Sequence, residues 1–152
     1  MKKNTLSVFA KYMMMFLMAA DIVIMLLLPV KLPGWMLEFF NTELTGGIKT
    51  YYYTVLYLGG LVGLYILNNM RRLFTLMQTG SPFVHDTEKL LKCNAYACLF
   101  MAVLTASKIF VANTFMTLIT VLIFFTSALF CRVLAELFAK ATAYKEENDL
   151  TV

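Results

Sequence analysis

The sequence predicts an all-α integral membrane protein, a four-helix bundle whose second and third helices extend into a cytoplasmic hairpin. Three observations carry that class. Of 152 residues, 61% are hydrophobic and 14% charged, whereas soluble domains carry about 25% charged residues. Four apolar stretches, 8–30, 51–67, 90–109 and 114–134, match the roughly 17 to 25 residues that cross a bilayer as a helix. The basic residues divide unevenly between the two sides those spans define. Lys2, Lys3, Lys11, Arg71, Arg72, Lys89, Lys92, Arg132, Lys140 and Lys145 share one side, and Lys31, Lys49 and Lys108 the other. Because Lys and Arg near spans stay on the cytoplasmic side, both termini and the central loop are expected in the cytoplasm. The whole of 1–152 reads as a single membrane domain, with 135–152 as its cytoplasmic tail.

The first apolar stretch follows Met-Lys-Lys, as a secretory signal would. It exceeds the usual ~7 to 15 residue signal core, contains Lys11 and Asp21, and ends in Pro-Val-Lys-Leu-Pro without a small-x-small cleavage pattern. It is therefore expected to stay as a helix. Residues 31–34 (KLPG) are expected to break it, and 35–40 (WMLEFF) to lie as a short helix along the outer interface. Residues 41–47 (NTELTGG) read as an exposed turn. The outer loop is too short to form an ectodomain for large ligands.

The second span opens on three tyrosines at the head-group level and carries Gly59-Gly60-Leu-Val-Gly63. Gly59 and Gly63 have the GxxxG spacing that lets two membrane helices approach closely. They would serve either a homodimer face or a contact with another helix of the same chain. Beyond the span, Met70, Leu73, Phe74 and Met77 recur at helical spacing, so the helix continues into the cytoplasm with one apolar face. Gly80 can stop it, and Ser81 and Pro82 suit the start of the third helix, with Asp86 and Glu88 in its first turns. The fourth span runs on through an amphipathic 132–138 segment. The polar, acidic tail from Lys145 is of a kind usually disordered or weakly docked.

The net charge of +4 is explained by membrane orientation and attraction to anionic lipid head groups, so no direct nucleic-acid binding is expected. Cys93, Cys98 and Cys131 have neither CxxC nor metal-ligand spacing and read as packing residues. His85, beside Asp86, is the one histidine. No nucleophile motif, phosphate loop, dinucleotide fingerprint or zinc spacing accompanies it, so neither an enzyme nor a metal or cofactor is expected.

Asp21 stands apart. At ~1.5 Å per residue from Val8 it lies about 20 Å inside the membrane, where an ionised carboxylate costs at least ~2.5 kcal/mol. Tyr53, Tyr57 and Thr105, with Thr54 and Thr120, offer hydroxyls at similar depth. Asp21 either binds a cation or proton in a polar pocket with these groups, or is protonated or hydrogen-bonded to them and locks the packing.

Residues 80–84 (GSPFV) after an Arg-containing helix, 134–138 (LAELF) and 146–152 (EENDLTV) resemble, in order and spacing over nearly the whole chain, a family of small bacterial membrane proteins called domain of unknown function 2975. The His85-Asp86-Thr87 stretch departs from the Asn-containing run expected after Pro-Phe. The resemblance implies a four-helix inner-membrane protein of unassigned activity. Such members are often encoded beside a small helix-turn-helix regulator, which implies a soluble partner docked by the 68–89 segment and the tail. Arg71, Arg72, Phe83, His85, Asp149 and Leu150 would be the contact residues. A membrane sensor or regulator is thus the leading expectation. The alternatives are a small ion- or proton-coupled transporter using Asp21, and a self-immunity protein against a peptide toxin.

Overall fold

The computed structural model describes residues 5–40, 46–78, 85–111 and 114–150, with side chains except those of 5–7, 35–40, 77, 78, 146, 149 and 150. It holds four helices: α1 (Thr5–Phe40), α2 (Gly46–Gln78), α3 (His85–Ala106) and α4 (Phe115–Leu150). A 3₁₀ turn, Ser107–Phe110, continues α3. All four helices are long and apolar enough to cross a membrane, over Val8–Gly34, Gly46–Leu76, His85–Phe110 and Phe115–Lys145. Their outer faces carry large apolar side chains, Phe16 and Leu26 on α1 and Phe130 on α4 among them, as contact with lipid tails requires.

The first helix departs from expectation. No break occurs at 31–34, and α1 runs on to Phe40 through both Pro29 and Pro33. Pro33 has no N–H to give to the carbonyl four residues back, that of Pro29. The Tyr53 hydroxyl of α2 donates to that oxygen instead, at 3.2 Å. Leu28 and Leu32, on either side of Pro29, are buried against Tyr52, so the tyrosine-rich start of α2 packs against this part of α1. The first residue of α2, Gly46, has a φ of +49°, a left-handed conformation that glycine adopts without penalty.

Backbone contacts join α1 to α2, α2 to α3 and α3 to α4, and among the described residues α1 approaches neither α3 nor α4. The helices thus pack in chain order. The closest pairing, α3 with α4, uses small side chains: Ala95, Cys98 and Ala102 on α3 and Ala128, Cys131 and Ala135 on α4 are all buried. Small residues at three- and four-residue spacing let membrane helices come close enough for extensive van der Waals contact. Glycines signal this role in the sequence, but here alanine and cysteine fill it.

Burial is greatest toward one end, formed by the start of α3 and the later halves of α2 and α4. Leu73, Leu91 and Ala135 form one core there, beside the fully enclosed Thr87 and Asn94. The fourth helix continues past this core to Leu150. The tail expected to be loose is therefore helical through that residue, consistent with Ala141, Ala143, Lys145 and Glu147 being good helix formers. Residues 79–84, with the expected Gly80 stop and the Ser81-Pro82 start, lie outside the described residues.

Candidate functional site

The expected intramembrane polar site does not come together. Asp21 is half-buried on α1, and its Oδ2 lies 3.2 Å from where a Cβ on Gly63 would stand. The missing side chain at Gly63 is what makes room for the carboxylate. No hydrogen bond joins Asp21 to Tyr53, Tyr57 or Thr105. Tyr53 donates to the Pro29 carbonyl and stacks on Tyr57, ring centroids 6.5 Å apart. The Thr105 hydroxyl donates to Met101 O, 2.8 Å, and Ala102 O, 3.1 Å, within its own helix. Thr54 and Thr120 likewise donate to carbonyls one turn back, the usual way a membrane helix satisfies a threonine.

The glycines also part company. A Cβ on Gly59 would lie 3.7 Å from Met101 Cε of α3, whereas one on Gly60 would fall 2.7 Å from Met25 Sδ of α1. Gly59 therefore abuts α3, while Gly60 and Gly63 abut α1. All three contacts are within one chain.

A different group of residues does converge. Lys11 of α1, Asn68, Arg71 and Arg72 of α2, and Asp86 and Lys89 of α3 line a cavity of about 630 Å³. Four cations thus face one carboxylate. Arg71 donates through Nη2 to Asn68 Oδ1 at 3.1 Å, and its Nε is buried with no partner among the described residues. Lys11, Arg72 and Lys89 form no ion pair among those residues. The nearby acid Glu88 is taken instead by Lys92, with His85 Nδ1 at 3.8 Å. The cavity is consequently cationic, with Arg72 and Lys89 exposed on its lining.

Beneath it, Asn69 Nδ2 donates to Asn94 Oδ1 at 3.0 Å. Both residues are buried, and Asn94 Nδ2 has no partner among the described residues. An interhelical amide pair of this kind fixes the register of two membrane helices. At the opposite end the start of α2 is tied to the end of α3: the Tyr51 hydroxyl and Ser107 Oγ are 2.6 Å apart, and Lys108 Nζ sits 5.7 Å from the centre of the Tyr52 ring.

With this geometry the chain was compared with known proteins. The family described as "Protein of unknown function (DUF2975)" matches residues 12–152. The chain belongs to this family. No curated protein and no solved structure matches it. The DUF2975 match takes in Arg71, Arg72, Asp86 and Lys89 of the cavity and ends with the tail of α4.

Of the contact residues that the DUF2975 resemblance implies, Arg71 is half-buried and lines the cavity, while Arg72 and His85 are exposed. Phe83 lies outside the described residues. Asp149 and Leu150 fall in the last turn of α4, with side chains outside the described set. Among the described residues no three His, Cys, Asp or Glu side chains gather as a metal site would require. Cys93 is exposed, Cys98 and Cys131 are buried, and all three are free thiols.

Lys11, Asn68 and Lys89 of the cavity, with Asn69 and Asn94 beneath it, are the residues that sequence reasoning did not single out. The pattern held a signal for Asn94: Leu91, Asn94, Ala95, Cys98 and Ala102 form one helical stripe, and a polar amide within it points to a buried partner. Lys11 and Lys89 had no such signal, because their convergence on Arg71 depends on how three helices pack.

Proposed function

We propose that this protein is a non-enzymatic membrane sensor or regulator that docks a soluble partner on its basic end, and that this end is cytoplasmic. The packed three-helix end carries the reading. There Leu73, Leu91 and Ala135 enclose a core shared by α2, α3 and α4, which gives exposed side chains a rigid base. At 36 residues, α4 measures about 54 Å against a ~30 Å hydrocarbon layer, so it has length to spare for a segment in water. The gathering of Lys11, Arg71, Arg72 and Lys89 at one end agrees with retention of basic residues on the cytoplasmic side. A small helix-turn-helix regulator is the partner class that the DUF2975 resemblance implies, and a bacterial cytoplasmic membrane is the location it implies. Arg72, His85 and the last turn of α4 are the docking residues.

Affinity purification of the full chain from its native membrane, followed by mass spectrometry, tests the reading. A stoichiometric helix-turn-helix protein should co-purify, and removal of residues 148–152 should release it with the helices still folded. Recovery of the chain without any soluble protein, or capture that survives the truncation, would overturn it.

A further inference from the structure

Two hollows meet on the α2–α3 surface. One is the cationic cavity. The other is an apolar groove of about 430 Å³ lined by Leu61 and Val62 of α2 and Tyr96, Ala97 and Phe100 of α3. Tyr65 and Cys93 line both, so the two adjoin. They also run in one direction. From Arg72 back to Leu61 along α2 is eleven residues, and from Lys89 forward to Phe100 along α3 is eleven more. Each step is about 16 Å of helix, leading from charge into an apolar channel.

We propose that this paired site binds an anionic phospholipid, with the phosphate in the cavity and an acyl chain in the groove. A phosphate oxygen would accept from Lys11, Arg72 and Lys89, which line the cavity and form no ion pair among the described residues, and an arginine fork matches phosphate geometry. The four cations outweigh Asp86, so the field favours a head group with net negative charge over a zwitterionic one. A free phosphate would use the cavity and leave the groove without purpose. The apolar extension therefore selects a lipid as the source of the anion. The site shares Arg72 with the docking surface but needs no soluble partner.

The test is native mass spectrometry of the full chain from micelles holding equal amounts of phosphatidylglycerol and phosphatidylcholine with identical acyl chains. Phosphatidylglycerol should be retained about tenfold over phosphatidylcholine, and Lys11→Gln with Lys89→Gln should remove most of that preference. Neither lysine is buried, and Arg71→Gln provides a second variant that reads the same loss. Ala97→Phe, which fills the groove, should reduce adducts of both lipids. Truncation of 148–152 should leave lipid retention unchanged, which separates this site from the docking of a partner. Equal retention of the two lipids, or an unaltered preference in the lysine variant, would overturn the proposal. So would displacement of phosphatidylglycerol by millimolar inorganic phosphate with the Ala97→Phe variant behaving as wild type, an outcome that assigns the cavity to a free anion.

Discussion

The hydroxyl of Tyr53 donates to the carbonyl oxygen of Pro29 at 3.2 Å, the oxygen that Pro33 leaves without its helical donor. Water satisfies such an orphan at a soluble surface, but hydrocarbon cannot. Tyr53→Phe should therefore cost about 1 kcal/mol of stability. Pro33→Ala restores an N–H at the proper place, so the same Tyr53→Phe change on that background should cost little. A double-mutant cycle measured by reversible unfolding in mixed micelles reads the coupling directly. Equal costs on both backgrounds would show that the hydroxyl acts somewhere other than Pro29.

The amide pair between Asn69 and Asn94, 3.0 Å apart and buried, predicts non-additivity. Asn94→Ala strands the Asn69 amide and should destabilise by about 1–2 kcal/mol. Replacing both by Ala should cost less than the sum of the single changes by about 1 kcal/mol. Strict additivity in thermal unfolding would mean that the two side chains do not interact.

Two glycines should answer substitution oppositely. Gly34 has no atom within 4 Å of a built Cβ, whereas Gly60 meets Met25 Sδ at 2.7 Å and Cγ at 2.9 Å. Gly34→Ala should be neutral or stabilise by up to about 1 kcal/mol through helix propensity. Gly60→Val should destabilise by about 1–3 kcal/mol through overpacking between α1 and α2. Circular-dichroism melting of the two variants checks both, and a Gly60→Val protein as stable as the parent would show that the flexible Met25 side chain swings clear of the added atoms.

Asp21 is expected to tolerate neutralisation. Its carboxylate lies against Gly63 and accepts no hydrogen bond from the hydroxyls at its depth. Asp21→Asn removes an insertion cost of at least ~2.5 kcal/mol for a charged form, so the melting midpoint should hold or rise. A loss of about 2 kcal/mol or more would reveal a partner for the acid, and loss of ion flux in proteoliposomes on the same change would favour the transport reading.

The spans were legible in the sequence because each is a long apolar run, and length against bilayer thickness is a strong constraint. The continuity of α1 was not. Residues 31–34 carry local signals of a break, and what overrides them is a hydroxyl on the next helix and the burial of Leu28 and Leu32 against Tyr52. The glycine motif was visible, but its partners were not, since Gly59 faces one neighbour and Gly63 another. The same limit applies to the cationic cavity. Arg71 and Arg72 stand out in any reading of the chain, yet Lys11 lies sixty residues away from Arg71, and no periodicity connects them. Asp21 drew attention by its cost in a membrane, and the hydroxyls of Tyr53, Thr54, Thr105 and Thr120 turned out to be committed to carbonyls.

The chain-order packing of the helices bears on how the protein is made. Each helix leans on the one synthesised before it, and α1 awaits neither α3 nor α4. A ribosome delivering these segments in turn would present every contact as soon as its second half emerged. No helix has to part an assembled pair to find its place, and loop closure between successive neighbours is the least demanding kind. The tightest seam, α3 with α4, is also the last to form. An incomplete chain ending before α4 would hence leave Ala95, Cys98 and Ala102 uncovered.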